Sequence, residues 1–204
     1  MRSIRPLGFA LIASVTLLVA SCGDKSPPVS QGLKIFVTAR VHGADFANDP
    51  YLAGANAIAK ADTFCNSDSA KPSAATYKAL LVDGVNRDAT TLVDWVLKPT
   101  TAYYQTHGDV LIGTTTAAAI FGAVYQSLSN PIVATNRYES PASVWTGIGS
   151  ASDFSSGDDC NDWSDLTNAY SANIGLSTAT DGLAFTGSGV GCFYFQFPIY
   201  CVEQ

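Results

Sequence analysis

An acidic segment in the C-terminal half of this 204-residue chain carries the side chains best suited to bind a cation. Five aspartates fall within the thirteen residues 153–165, with an asparagine among them. Because Ca²⁺ takes six to eight oxygen ligands, the candidate ligands are Asp158, Asp159, Asn161 and Asp162. Their spacing fits no EF-hand loop, and Asp and Asn also form local turns. The sequence therefore favours a solvated loop and no cofactor, with bound calcium as the alternative.

The chain carries none of the motifs that mark common catalytic sites. A nucleophile elbow, an H-E-x-x-H helix, a P-loop and a dinucleotide fingerprint are all absent from the sequence. The two histidines, His42 and His107, each precede a glycine and have no Ser, Cys or acid at motif spacing. We therefore expect them to be surface residues, and we expect the protein not to be an enzyme.

Aromatic side chains are the other candidates for a binding surface. Trp145 and Trp163 lie in apolar or cysteine-containing motifs, and we expect them in the core. The tyrosines that fall in polar stretches could offer aromatic faces to sugars or proteins; they are Tyr103, Tyr104, Tyr138 and Tyr170. These four are scattered along the chain, so they identify no single site.

The first 22 residues have the pattern of an export signal. Arg2 and Arg5 precede an apolar run over 7–20, which is shorter than the roughly 20 residues of a membrane span. Small residues before Cys22 resemble the bacterial lipobox, so we expect a lipoprotein signal peptide over 1–21 and a lipid on Cys22. The alternative is an ordinary signal peptide cut near residue 20. Residues 22–32, rich in Pro and Ser, are predicted to be a tether.

This address predicts a protein of the cell envelope. Gly23 after the cysteine resembles the sorting signals of outer-membrane lipoproteins, so we expect an outer-membrane anchor. The sequence does not decide whether the domain faces the periplasm or the cell exterior. Without residues 1–21 the chain has 9 basic and 17 acidic side chains, a net charge of 9 − 17 = −8. Such a surface repels polyanions, which argues against nucleic acid and heparin-like partners and leaves the lipid anchor as the membrane contact.

Four cysteines remain once Cys22 carries lipid, which is an even number in an exported chain. We expect two disulfides, and the residues alone leave three pairings open. Metal binding is the weaker reading, because no two cysteines have C-x-x-C spacing.

The order of predicted elements is typical of an α+β domain. A strand over 33–41 precedes a helix over 51–66 capped by Asp49 and started by Pro50. A second helix is predicted from Asp88 to Pro99. The remaining predicted strands are 77–82, a hairpin of 102–106 and 110–114, 143–147, and a buried terminal strand over 192–202.

Six motifs follow one another along the chain: IFVT at 35–38, LAGA at 52–55, YKALL at 77–81, VWTG at 144–147, CNDW at 160–163, and Cys192 with IYCVEQ at 199–204. Together they resemble a bacterial family of domains of unknown function found in surface lipoproteins. That family is similar to the endostatin branch of the C-type lectin-like fold. The resemblance implies such a domain over 33–204, with two short helices, a twisted, mainly antiparallel sheet and long loops. It also implies the disulfides Cys65–Cys201 and Cys160–Cys192.

The chain departs from its sugar-binding relatives, because it lacks the Glu-Pro-Asn or Gln-Pro-Asn and the Trp-Asn-Asp triplets that hold their calcium. A ligand is therefore not inherited with the fold. We expect a lipid-anchored envelope protein with a non-catalytic binding or adhesion module, whose protein or glycan ligand meets the loops over 147–191. The alternatives are a structural envelope lipoprotein that packs against another envelope component, and an unrecognised hydrolase.

Overall fold

The computed structural model describes residues 32–122, 128–133, 143–193 and 195–204. The predicted signal peptide, Cys22, the tether up to residue 31 and Tyr138 lie outside these ranges. Within them, no helix has the length and apolar character needed to cross a bilayer.

Two β-sheets form the described domain. Their strands are β1 (Leu33–Val37), β2 (Tyr77–Ala79), β3 (Ala102–Gln105), β4 (Leu111–Thr114), β5 (Ser143–Trp145), β6 (Ser171–Leu176), β7 (Gly189–Gly191) and β8 (Tyr200–Glu203). A five-stranded mixed sheet lies at the centre, in the order β2-β8-β1-β3-β4. Its neighbouring strands pair antiparallel except β1 and β3, which are parallel. A second, antiparallel sheet has the order β5-β6-β7. The predicted α+β class and mainly antiparallel pairing are confirmed.

Alternation along the central strands builds a core on each face of the larger sheet. Ile35 and Phe36 are both buried, yet they belong to different apolar clusters, because successive strand side chains point to opposite faces. Cys201 and Val202 divide in the same way on β8. The sequences of the central strands are therefore continuously apolar, because both faces of this mostly antiparallel sheet are buried there.

Helix α1 (Ala57–Asn66) begins six residues later than the sequence predicts. The Asn56 side chain caps it by accepting a hydrogen bond from the Ala59 N–H at 2.9 Å. The predicted cap, Asp49, instead accepts from the Tyr51 N–H at 2.7 Å and closes a local turn. The predicted start of α1 was wrong because two residues can act as the helix cap. The carboxylate of Asp49 accepts its hydrogen bond in a local turn, which needs no helix.

The helix predicted from Asp88 to Pro99 is wrong. The Asp88 carboxylate accepts hydrogen bonds from the Thr90 and Thr91 hydroxyls and closes a turn. Leu92 and Asp94 have φ of 60° and 44°, which a right-handed helix does not allow. The second short helix is α2 (Cys160–Trp163), a single turn in the acidic segment.

The terminal strand pairs beside the first, and both strands are shorter than predicted. β1 ends at Val37 and β8 begins at Tyr200, although backbone pairing continues from the Thr38 N–H to the Ile199 carbonyl at 3.1 Å. Pro198 has no N–H to continue the ladder. The predicted hairpin of β3 and β4 is confirmed, with a register shift between Tyr103 and Tyr104.

Two disulfides cross-link the domain, Cys65–Cys201 and Cys160–Cys192, and confirm the predicted pairing. The first joins the end of α1 to β8 across 136 residues. The second, which we call the inner disulfide, joins α2 to the segment after β7 across 32 residues. All four sulfurs belong to buried residues.

Candidate functional site

A cleft of about 630 Å³ opens beside the inner disulfide. It lies inside the loop region over 147–191 that the sequence predicts for ligand binding. The four candidate calcium ligands all line it, together with Ser171 and Gly191, which pair with each other at one end of the second sheet. The lining residues are Gly157, Asp158, Asp159, Cys160, Asn161, Asp162, Asn168, Ala169, Tyr170, Ser171 and Gly191.

One wall of the cleft is α2, a turn with unusual backbone geometry. Its four residues have φ of 56–57°, in the left-handed region that L-residues seldom occupy in succession. Cys160 is held by the inner disulfide, and the buried Trp163 donates from Nε1 to the Val82 carbonyl at 2.9 Å. The exposed side chains of Asn161 and Asp162 are therefore presented between two fixed points.

Asp159 precedes this turn, lines the cleft and is hydrogen-bonded to the turn. Its Oδ1 accepts a hydrogen bond from the Asp162 N–H at 3.0 Å, and its carbonyl accepts from the Trp163 N–H at 2.8 Å. Burial raises the pKa of the Asp159 carboxyl to about 6, and the negative charges of Asp162, Asp83 and Asp158 add to this shift. A carboxylate in this position is therefore favoured by a nearby positive charge.

Asp158 lies in a second wall of the cleft, and hydrogen bonds fix it to β6. The Asp158 N–H donates to Asn173 Oδ1 at 2.7 Å, and the Asn173 N–H donates to the Asp158 carbonyl at 2.8 Å. The Ser171 hydroxyl donates to Asp158 Oδ2 at 2.5 Å. A Cβ on Gly157 would lie 2.3 Å from Asn173 Oδ1, so the close approach of the two segments requires glycine here.

The surroundings of the cleft are strongly acidic. Residues 143–204 contain seven acidic side chains and no Lys, Arg or His. Among the described residues, no group of three or more His, Cys, Asp or Glu side chains has the arrangement of a metal site. Calcium at the acidic segment therefore remains the alternative to a solvated loop, and experiment has to decide between them.

The predicted core tryptophans are confirmed. Trp145 and Trp163 are fully buried, with ring centroids 6.0 Å apart. His107 is exposed, as expected. His42 is not a surface residue: its ring stacks on Phe46 at 4.0 Å, and Nε2 lies 2.9 Å from Asp49 Oδ2. The glycine after it does not mark an exposed turn, because the His42 backbone pairs with Phe197.

The candidate tyrosines separate into different environments. Tyr103 is fully buried, and its hydroxyl accepts from the Lys98 N–H at 2.8 Å, so it offers no face to a ligand. Tyr104 is half-buried beside Lys34. Tyr170 is exposed and lines the cleft. Asn168 and Ser171 were missed, because nothing in their local sequence indicates that β6 returns to the acidic segment.

The fold and the cleft define a class: a small α+β domain, cross-linked by two disulfides, with an open acidic cleft built from its loops. The family model described as "Protein of unknown function (DUF1554)" matches residues 49–180, which is more than half of the chain. The protein belongs to the DUF1554 family, and the predicted domain of unknown function is confirmed. No curated protein matches the chain.

Proposed function

We propose that this protein is a lipid-anchored cell-envelope protein whose C-type lectin-like domain is a non-catalytic binding module for a protein or glycan. The observation that carries the proposal is the open cleft, because loops held on a cross-linked scaffold are where such domains bind. It presents carboxylates, amides, a hydroxyl and the Tyr170 ring within one site. These groups suit a ligand recognised by hydrogen bonds and aromatic contact.

The envelope address rests on two independent features. The basic, apolar and small-residue order before Cys22 is that of a lipoprotein signal. The two buried disulfides are typical of a chain that folds in an oxidising compartment. Several acyl chains on Cys22 would supply a durable anchor, to the outer membrane if Gly23 acts as its sorting residue.

Three features support the lectin-like assignment. The terminal strand β8 lies beside β1, the first disulfide ties α1 to β8, and the inner disulfide lies in the long-loop region. A binding role rather than catalysis is supported by the engagement of the cleft carboxylates. Asp159 accepts from the Asp162 amide and Asp158 accepts from the Ser171 hydroxyl, so both help to hold the cleft walls.

Array binding tests the module. The full chain in mild detergent is applied to glycan and matrix-protein arrays, with millimolar calcium and with chelator. Binding that Asp162→Asn weakens, and that Asp109→Asn leaves unchanged, supports the cleft; Asp109 is an exposed aspartate of the β3–β4 hairpin. Empty arrays together with a stable co-purifying envelope component would instead favour a structural lipoprotein. An unchanged thermal melt between calcium and chelator would remove calcium from the site.

Metabolic labelling tests the anchor. Palmitate should label the parent protein and should be lost in Cys22→Ala, with Cys65→Ala as a cysteine control that keeps the label. Label that persists in Cys22→Ala would remove the lipid anchor from the proposal.

A further inference from the structure

A patch of large apolar side chains is exposed at the edge of the cleft. We call it the aromatic patch and define it as Val41, Leu166, Tyr170, Phe193 and Phe195. Each member is 39–60% exposed. Single exposed apolar residues are ordinary on a protein surface, whereas neighbouring ones mark interaction sites.

Backbone and ring contacts bring the members together from three distant segments. Phe195 stacks on Phe197 at 5.3 Å, and Phe197 pairs through its backbone with His42, the neighbour of Val41. The Leu166 side chain lies 3.1 Å from the Cβ position of Gly43. The Cys192 N–H donates to the Tyr170 carbonyl at 3.3 Å, which places Phe193 next to the start of β6. Tyr170 belongs to both the patch and the cleft.

The ring of Phe197 explains how the patch is held. It packs against the buried Trp145 at 4.8 Å and gives Phe195 a fixed surface on which to stack. Phe195 therefore extends the core outward and leaves 42% of itself to solvent. This outward extension is preorganised, and preorganised aromatic anchors bind partners at a low entropic cost.

Charge identifies the class of occupant. The patch borders Asp158, Asp159 and Asp162 in the cleft, and Asp165 immediately precedes Leu166. A membrane with anionic headgroups would be repelled by these carboxylates. A second copy would bring the same acidic border against its own. A protein surface with apolar residues beside Lys or Arg would complement both halves.

We infer that the aromatic patch and the acidic cleft form one docking surface for a protein partner that presents an apolar side chain flanked by basic ones. This inference rests on the proposed binding function and names the ligand class for the same site. The apolar group contacts Phe193, Phe195 and Tyr170, while a Lys or Arg enters the cleft toward Asp159 and Asp162.

Selection from displayed random short peptides tests the inference, with the immobilised full chain as bait. We expect enriched peptides that combine Lys or Arg with Phe, Leu or Trp. The double variant Phe193→Ser with Phe195→Ser should weaken them by about tenfold or more, and Asp162→Asn should weaken them too. Leu183→Ser is the matched control: it removes an exposed apolar side chain near the far end of β6 and should change nothing.

The opposing results are distinct. The inference is overturned by peptides without basic residues, by equal binding to the double variant, or by a selection that enriches nothing. It is also overturned if the patch instead mediates binding to phosphatidylcholine vesicles or self-association in sedimentation, each abolished by the double variant. A glycan that binds the cleft equally well in the double variant would overturn this inference and leave the proposed function standing. Near-ultraviolet circular dichroism of each variant separates loss of contact from loss of fold.

Discussion

Replacing Asp159 by Asn should stabilise the domain at neutral pH. Burial is the main cause of the raised pKa of Asp159, about 6 against an ordinary 3.8, and the charges of Asp162, Asp83 and Asp158 contribute. At pH 7 the carboxyl is mostly ionised, so the folded state keeps a charge that its surroundings disfavour. An asparagine removes that charge and still offers an oxygen to the Asp162 N–H, since Asn and Asp cap equally well.

The sign and size of the effect follow from linkage. Because the folded pKa lies above the unfolded one, the wild type loses stability as pH rises between the two values, and the full penalty applies above about pH 6. Once the partial exposure of the side chain is discounted, the penalty is about 1 to 2 kcal/mol. The variant lacks this titration, so its advantage should be near zero at about pH 4 and largest at about pH 7.

Urea unfolding across that pH range measures the difference. Asp153→Asn is the control, because hydrogen bonds from Ser155 are the first cause of the lowered pKa of Asp153 and its removal should not stabilise. An Asp159→Asn advantage that is absent at pH 7, or equal at every pH, would refute the reasoning. If the cleft binds a basic partner, the same variant should bind it more weakly while being more stable, which is the trade-off expected at a binding site.

Three further substitutions test the scaffold by urea unfolding. Arg87→Met should cost about 3 to 5 kcal/mol of stability, because the buried guanidinium donates to both Asp62 oxygens. The control Lys34→Met, which removes a surface ion pair with Asp109, should cost at most about 1 kcal/mol. Equal losses of stability in the two variants would contradict the argument. Gly147→Ala should cost about 2 to 4 kcal/mol, since φ is 69° and a Cβ would lie 2.5 Å from the Val82 carbonyl oxygen. The control Gly108→Ala has φ of 77° and its nearest atom 3.7 Å away, so it measures the cost of the backbone conformation alone. An equal cost in both variants would show that the contact with the Val82 carbonyl contributes nothing. Changing both cysteines of the inner disulfide to Ala should cost about 3 to 4 kcal/mol; a loss below about 1 kcal/mol would show that the loop is held without it.

The sequence indicates the elements whose patterns are local and strong. The β-branched run of β1, the apolar stripe of α1 and the hairpin of β3 and β4 all form within their predicted ranges, although β1 and α1 are shorter than predicted. The segment after Asp88 forms no helix, although its apolar residues are compatible with one. The buried guanidinium of Arg87 holds Asp94, since its Nε donates to the Asp94 carbonyl at 3.0 Å and it also pairs with the Asp94 carboxylate. The burial of Arg87 depends on tertiary contacts and leaves no trace in periodicity.

The candidate site divides in the same way. The acidic segment is visible in composition, and its four candidate ligands do lie together. Its second wall is not visible, because β6 reaches Asp158 through tertiary contacts, which are the side chain and backbone of Asn173 and the Ser171 hydroxyl. The aromatic patch was missed for a related reason: the apolar run over 192–202 predicts one buried strand, and only the start of β8 at Tyr200 shows that Phe193 and Phe195 precede the sheet.

The order of residue types in α2 explains how a strained turn can form the wall of a binding cleft. Asn and Asp tolerate the left-handed conformation because their short polar side chains bond locally, whereas Cys and Trp do not. The tolerant residues, Asn161 and Asp162, are the exposed pair in the middle. The intolerant ones, Cys160 and Trp163, are those fixed by the inner disulfide and by the hydrogen bond to Val82. Each costly conformation thus coincides with a tertiary constraint that offsets it, so the core and the cross-link, rather than local propensity, determine where the two polar side chains face the cleft.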